Sequence, residues 1–307
     1  MLERSPPWPL PEKSFCEFYH SMDFPDGDSV TGIWDIRGRF AEYIGHYPLQ
    51  DKTVLDVGTA SGFLAFSAEA AGAKVTATDV KHPSQITLLP FKEHPYQSGD
   101  LVAWEAGVEE HWKHTRSAFW YAWHKHHSNV EMVYASLNEL RYWDERFDVV
   151  IAGALLEHLG DPVSAIGTIA RLAKEAVIIA FTPIEFTDEL LMCPIADLAN
   201  PANYWTWWKL SLGLYRQIFR NVGFEIEIIF AKARNVTADV DVNRPTIIAR
   251  RMSPPSDLLA GKRGLLGCLR RVVRRLKRSW VGGGGRRSRR PAWHDRLRRR
   301  IRGCWRP

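Results

Sequence analysis

The chain has 307 residues, 41 Lys+Arg against 35 Asp+Glu, and 45% hydrophobic residues, enough for one α/β domain with extensions. Its four cysteines, Cys16, Cys193, Cys268 and Cys304, form no CxxC pair, which argues against a disulfide framework or a zinc site and leads us to expect a reducing, cytoplasmic setting. No apolar run approaches the ~18 residues needed to cross a bilayer.

From the N-terminus, MLERSPPWPLPEK lacks the apolar centre of a signal peptide and is Pro-rich enough to run extended. Residues 15–47 mix aromatic side chains with turns, Asp26-Gly27 among them, and 34–47 is predicted to be a helix ahead of the first strand. Residues 53–66, TVLDVGTASGFLAF, carry the strongest pattern. Positions 53–57 are short, apolar and β-branched, as a strand buried on both faces requires. Asp56, Gly58 and Gly62 follow closely, and 63–71 reads as a helix rich in Ala and Leu. Strand, glycine turn and helix open a nucleotide-binding βα unit. Gly58 lets the backbone turn and present amides to a ligand, and Gly62 lets the helix start tight against the sheet. A second strand, 74–78, ends in Asp79, placed to accept hydrogen bonds from two ribose hydroxyls. The spacing DxGxxxG differs from the dinucleotide pattern GxGxxG and leaves the Asp56 carboxylate at a strand tip. A carboxylate there repels phosphate and suits a cationic, phosphate-free ligand, of which S-adenosylmethionine is one.

Residues 81–99 are loop-like, with Pro83, Pro90, Pro95 and Gly99. Residues 105–127 read as a helix with an aromatic stripe of Trp112, Phe119, Trp120 and Trp123. Six histidines (His94, His111, His114, His124, His126, His127) fall here, but no carboxylate or cysteine completes a ligand set, and we expect no metal. A third strand, 130–134, is followed by Ser136, Leu137 and Asn138. A fourth, 147–151, exits through Ala152-Gly153-Ala154-Leu155 to Glu157-His158, and Asp161-Pro162 caps the next helix. After a fifth strand at 176–181, the irregular segment 182–212 carries Pro183, Pro194, Pro201, Tyr204, Trp205, Trp207 and Trp208. It leaves the ligand-bearing sheet edge and reads as a lid over an acceptor, with an irregular cap packed on the body as the alternative. A helix at 212–222, stopped by Gly223, and strands at 224–230 and 245–249 complete seven strands.

VLDVGTASGF, VTATDV and FDVVIAGALLEHLGDP resemble the first, second and fourth motifs of class I S-adenosylmethionine-dependent methyltransferases, over roughly residues 50–250. Thr59, Ala60 and Ser61 stand where many members carry a further glycine. The resemblance implies an α/β, Rossmann-like fold: a seven-stranded, mostly parallel sheet whose antiparallel last strand lies between the fifth and sixth. It implies S-adenosylmethionine as cofactor and a domain at 48–252. In the preceding 1–47, an extension covers the cofactor or shapes the acceptor pocket, unless it only packs at the sheet edge. By the same resemblance, Asp79 with Val80 holds the ribose. Asp56 supports the loop and the methionine ammonium, and Gly58, Thr59, Ala60 and Gly62 give backbone access. Leu137 and Asn138 meet the adenine, and Ala152 and Gly153 lie under the methionine part. His158, an imidazole just past the fourth strand, is the first candidate base and Glu157 the second, with loop capping as the alternative role for His158.

The C-terminal stretch 259–307 holds 18 Lys+Arg against one acid, Asp295, leaving 23 basic and 34 acidic residues elsewhere. Within it, 264–280 reads as a basic amphipathic helix, and after GGGG the Arg-rich 286–306 reads as disordered. Such a tail suits RNA phosphates or an anionic membrane surface, or has no partner. HSMDFPDG, GIWDIRG and GALLEHLGDP are also similar to tRNA wobble-uridine methyltransferases, which implies an RNA acceptor as one alternative. The acidic body favours a small-molecule or glycan acceptor, with a non-catalytic S-adenosylmethionine-binding module as the third reading.

Overall fold

Three apolar runs without a polar face set the centre of the fold. Val54, Leu55, Val149, Val150, Ile151, Val177, Ile178 and Ile179 are all fully buried, the pattern of parallel strands covered on both sides. The computed structural model describes residues 2–86, 101–195 and 206–252. Expectations for His94, Tyr204, Trp205 and the basic tail lie outside the described residues.

The central sheet is built from β1 (Thr53–Val57), β2 (Lys74–Asp79), β3 (Glu131–Tyr134), β4 (Phe147–Gly153), β5 (Ala173–Ala180), β6 (Phe224–Asn235) and β7 (Val240–Arg251). Its order is β3-β2-β1-β4-β5-β7-β6. The first five strands run parallel, and β7 lies antiparallel between β5 and β6, as the family resemblance implied. Helices α1 (Phe63–Ala70), α2 (Leu101–Lys125), α3 (Pro162–Leu172) and α4 (Leu212–Asn221) connect the strands. The core has two halves: Phe66, Phe119, Trp120 and Ile151 belong to one, Leu55, Ile166, Ile169, Tyr215 and Phe219 to the other. Asp161 caps α3 as expected, its carboxylate accepting the Ser164 amide at 3.0 Å ahead of Pro162. No helix of the described residues is long and apolar enough to cross a membrane.

Two predicted segments differ. Of 34–47 only Phe40–Tyr43 is helical. Trp34–Asp35 instead extends the sheet as an eighth strand, paired antiparallel with Asn235 and Arg234 at the end of β6. Gly38, at φ +69°, breaks the helix between them. The segment 182–212 is less irregular than expected: Ile184–Glu185, Met192–Pro194 and Trp208–Ser211 form a small three-stranded sheet.

The N-terminal segment packs along β3 and α2. Arg4 pairs with Glu131 (2.6 Å) and Glu145 (2.9 Å), and Trp8 stacks on Trp120 with centroids 6.0 Å apart. Two of the histidines on α2 hold it: His124 Nε2 donates to the Trp8 carbonyl and His114 Nδ1 to the Phe15 carbonyl, each at 2.8 Å.

Candidate functional site

Parallel strands end at one edge of the sheet, and that edge is where a crevice opens in an α/β fold. A cavity of about 690 Å³ lies there, within the range of cofactor sites. Its floor is the loop after β1. Gly58 takes φ +75° and donates its amide to the Thr78 carbonyl at 2.8 Å; a Cβ there would stand 3.0 Å from Leu155 Cδ1. Gly62 takes φ +91°, and a Cβ there would lie 2.3 Å from the Phe66 ring. At Gly62 only glycine fits both the conformation and the space, and at Gly58 the left-handed backbone favours it.

Asp79, at the tip of β2, organises this loop. Its Oδ2 accepts the Ala60 amide at 2.8 Å and its Oδ1 the Val80 amide at 2.7 Å. The first bond holds Ala60 at φ +49°, a left-handed conformation unusual for a residue with a Cβ. Burial pushes the Asp79 carboxyl above its ordinary value, while the two amides and the nearby Arg116 charge favour its ionised form. Arg116 reaches the same cavity from α2 and donates to the Lys81 carbonyl at 2.9 Å.

Asp56 sits behind the loop. It is fully buried, flanked in the sheet by Ala77 and Ile151, and neither carboxylate oxygen has a hydrogen-bond partner among the described residues. Burial pushes its carboxyl up to about 7, and the neighbouring Asp79 charge adds to this. The Thr59 hydroxyl and Ala65 amide lie near enough to soften the effect without removing it.

Of the residues singled out in the sequence, Gly58, Ala60, Asp79, Val80, Leu137, Asn138, Gly153 and His158 line the large cavity. Asp56, Thr59, Gly62 and Ala152 do not line it; Asp56, Thr59 and Ala152 are buried, and Gly62 packs against Phe66 and Phe119. Glu157 belongs instead to a second chamber of about 160 Å³, lined also by Tyr19, His20, Trp34, Tyr43, Phe181 and Arg244. Tyr19, Ala154 and His158 border both cavities. Of the segment read as a lid or a packed cap, Thr206 lines the small chamber, and the Trp207 amide donates to the Glu157 carbonyl at 2.7 Å.

The sequence reading missed Tyr19, Trp34, Phe181 and Arg244 as site residues. Tyr19 lies just before the HSMDFPDG run, so its neighbourhood carried a signal. Arg244 carried none; it reaches the chamber from β7, three strands away from the glycine loop.

The fit to a ligand can be tested on these residues alone. Asp79 is a wall carboxylate with lone pairs left for a ribose diol, and the orphaned, buried Asp56 carboxylate favours positive charge nearby. Both suit a cationic adenosine compound without phosphate, such as S-adenosylmethionine.

A family model described as "Methyltransferase domain" matches residues 35–227. The ubiquinone biosynthesis O-methyltransferase of Serratia proteamaculans (strain 568) is 32% identical over 165 residues, covering 49% of this chain and 55% of that protein. The same enzyme from Pseudoalteromonas translucida (strain TAC 125) is 29% identical over 177 residues, covering 53% and 61%. The chain thus spans little more than half the length of these curated relatives. Among solved structures, magnesium protoporphyrin IX methyltransferase from Synechocystis PCC 6803 with bound S-adenosylmethionine is similar at 17% identity. The match covers 69% of this chain and 76% of that one, with a TM-score of 0.38. The Burkholderia thailandensis 1,6-didemethyltoxoflavin-N1-methyltransferase is similar at 16% identity, over 71% and 78%, with a TM-score of 0.42.

Proposed function

The chain belongs to the methyltransferase domain family, and on that premise we propose that it transfers a methyl group from S-adenosylmethionine to an oxygen or nitrogen of a small-molecule acceptor. The observation that carries the reading is the junction of the two cavities at Tyr19, Ala154 and His158. A methyl donor in the large cavity and an acceptor in the small chamber face each other there.

When bound, S-adenosylmethionine supplies a methyl group already activated on a sulfonium sulfur. The chain is left with alignment, water exclusion and the acceptor's proton. Asp79 holds the ribose hydroxyls, Leu137 and Asn138 border the adenine, and Gly58, Ala60 and Gly153 keep backbone close to the amino-acid part. Asp56 supplies negative charge behind the loop, in reach of a cation through the field rather than by contact. His158, on the wall common to both cavities, is positioned to take the acceptor's proton. The curated relatives are named as O-methyltransferases, which supports oxygen as the accepting atom.

The test is transfer of tritium from methyl-labelled S-adenosylmethionine into a cell extract sorted into small-molecule, RNA and protein fractions. Label is expected in the small-molecule fraction, and label confined to RNA or protein would overturn the acceptor class. With an acceptor in hand, His158→Ala is expected to lose transfer while binding S-adenosylhomocysteine like the parent chain.

A further inference from the structure

We propose that the 160 Å³ chamber is a site for one hydroxylated aromatic ring, with Glu157 accepting the hydrogen bond of the ring hydroxyl and Arg244 facing its oxygen; this rests on the donor–acceptor reading above. Size comes first. A chamber of about 160 Å³ is close to the ~150 Å³ apolar cavity that takes a benzene molecule, so it holds one six-membered ring and not two.

The walls favour a flat ring. Tyr43 and Phe181 are stacked with centroids 5.6 Å apart at 24°, and Trp34 meets Phe181 edge-on at 5.6 Å and 74°. Such faces and edges accept a further aromatic ring in offset or T-shaped contact. His20, also on the wall, is neutral: burial lowers its imidazole to about 3. It adds polarity at Nδ1, which has no described partner, without adding charge.

Two groups give the chamber its chemical preference. Glu157 is only 2% exposed, and its Oε2 has no hydrogen-bond partner among the described residues. An ionised carboxylate can only accept, so the site asks for an O–H or N–H. Arg244 Nη1 lies 3.8 Å from Glu157 Oε1, too far for a hydrogen bond. Its guanidinium rests over the Phe181 ring at 5.2 Å and the Trp34 ring at 5.9 Å. It can therefore turn toward an anionic oxygen without breaking a short ion pair with Glu157.

A phenol suits this pair better than a sugar. A phenolic hydroxyl ionises near pH ~10, well below an aliphatic hydroxyl, which behaves more like water. Burial raises the Glu157 carboxyl, which makes it a better proton acceptor; His158, Arg244 and the Thr182 hydroxyl lie around it and pull the other way. In the proton step the ring O–H bond breaks, the proton bonds to a Glu157 oxygen and is passed on to His158 on the same chamber wall, and the electron pair stays on the ring oxygen beside Arg244. Nothing is oxidised or reduced.

The experiment uses the full chain and 4-nitrophenol, whose absorbance reports its ionisation. Calorimetric titration with S-adenosylhomocysteine comes first; absence of binding there would sink the donor reading itself. With the chain saturated by S-adenosylhomocysteine, we expect saturable 4-nitrophenol binding and a larger phenolate absorbance than the free probe shows at the same pH. Arg244→Ala and Glu157→Gln should each weaken probe binding at least tenfold and remove the phenolate excess, with S-adenosylhomocysteine affinity unchanged as evidence of folding. Arg244 is partly exposed, so its variant keeps the test open if the buried Glu157 variant fails to fold. No saturable probe binding to the loaded chain, or parent-like binding by a folded Arg244→Ala, overturns the ring site. So does displacement of the probe by methyl β-D-glucopyranoside at equal concentration.

Discussion

Replacing Asp56 by Asn should make the ligand-free protein relatively more stable as pH rises, by an amount fixed by one buried carboxyl. Its folded value is pushed up to about 7 from an ordinary 3.8. Between these values the folded chain binds more protons than the unfolded one, so stability falls as pH rises through that window. Below the ordinary value the contribution is fully present, and it is lost as pH climbs toward the folded value. At about 1.36 kcal/mol per unit, the buried Asp56 carboxyl loses the fold about 2 kcal/mol at pH 5 and about 4 kcal/mol at pH 8, relative to acid pH. Asn carries no such penalty, and its own cost of burying an amide does not vary with pH. The stability of Asp56→Asn relative to the parent should therefore rise by about 2–3 kcal/mol between pH 5 and pH 8. Urea unfolding of both chains at the two pH values, without ligand, measures this double difference, in which titrating groups not coupled to Asp56 cancel. A difference that stays flat, or falls with pH, would refute the burial argument. The same variant should bind S-adenosylmethionine more weakly at pH 8, since the charge that favours its cation is gone.

Asp79→Asn should weaken S-adenosylhomocysteine binding by about 10- to 100-fold in calorimetry, the worth of one charge-assisted hydrogen bond of roughly 1.5–3 kcal/mol; a loss under threefold would remove Asp79 from the ribose. Gly62→Ala should cost about 2–4 kcal/mol in urea unfolding, because a left-handed backbone and a Cβ against Phe66 and Phe119 add strain to overpacking. Ser61→Ala should leave the amides of Tyr19 and His20 without their acceptor, costing about 1–3 kcal/mol. Its KM for acceptor should rise more than its KM for S-adenosylmethionine; the opposite order would place Ser61 with the donor alone.

Most of the sheet was legible because parallel strands buried on both faces leave continuous apolar runs, and β1, β2 and β4 each end in a turn with its own chemistry. Element ends were less so. The strand predicted at 224–230 continues to Asn235, because β7 pairs with it along its whole length, from Phe224 opposite Arg251 to Asn235 opposite Val240. That pairing is long-range and leaves no local mark in AKARN. The floor of the large cavity was readable for the reason that it is built from one contiguous βα unit and the strand tips beside it. The small chamber was not, since Tyr19, Trp34, Phe181 and Arg244 come from four separate places in the chain. Glu157 shows the limit of placing residues by position alone: next to His158 in sequence, it lines the small chamber but not the large cavity.

The sequence left two roles open for the first 47 residues, and different parts of them lie where each role would place them. Arg4 and Ser5 do pack at the sheet edge, on β3. Tyr19, further on, is a wall of both cavities. What joins it to the glycine loop is Ser61, fully buried, whose Oγ accepts the amides of Tyr19 at 3.1 Å and His20 at 3.4 Å. This is a position in the stretch where many of the resembled family carry a further glycine, and a glycine has no hydroxyl to offer. The departure from the family pattern is thus where the chain exchanges backbone freedom for an anchor. The glycine loop and the Tyr19–His20 wall of the small chamber are thus one hydrogen-bonded unit, joined through the Ser61 side chain by one bond to each amide.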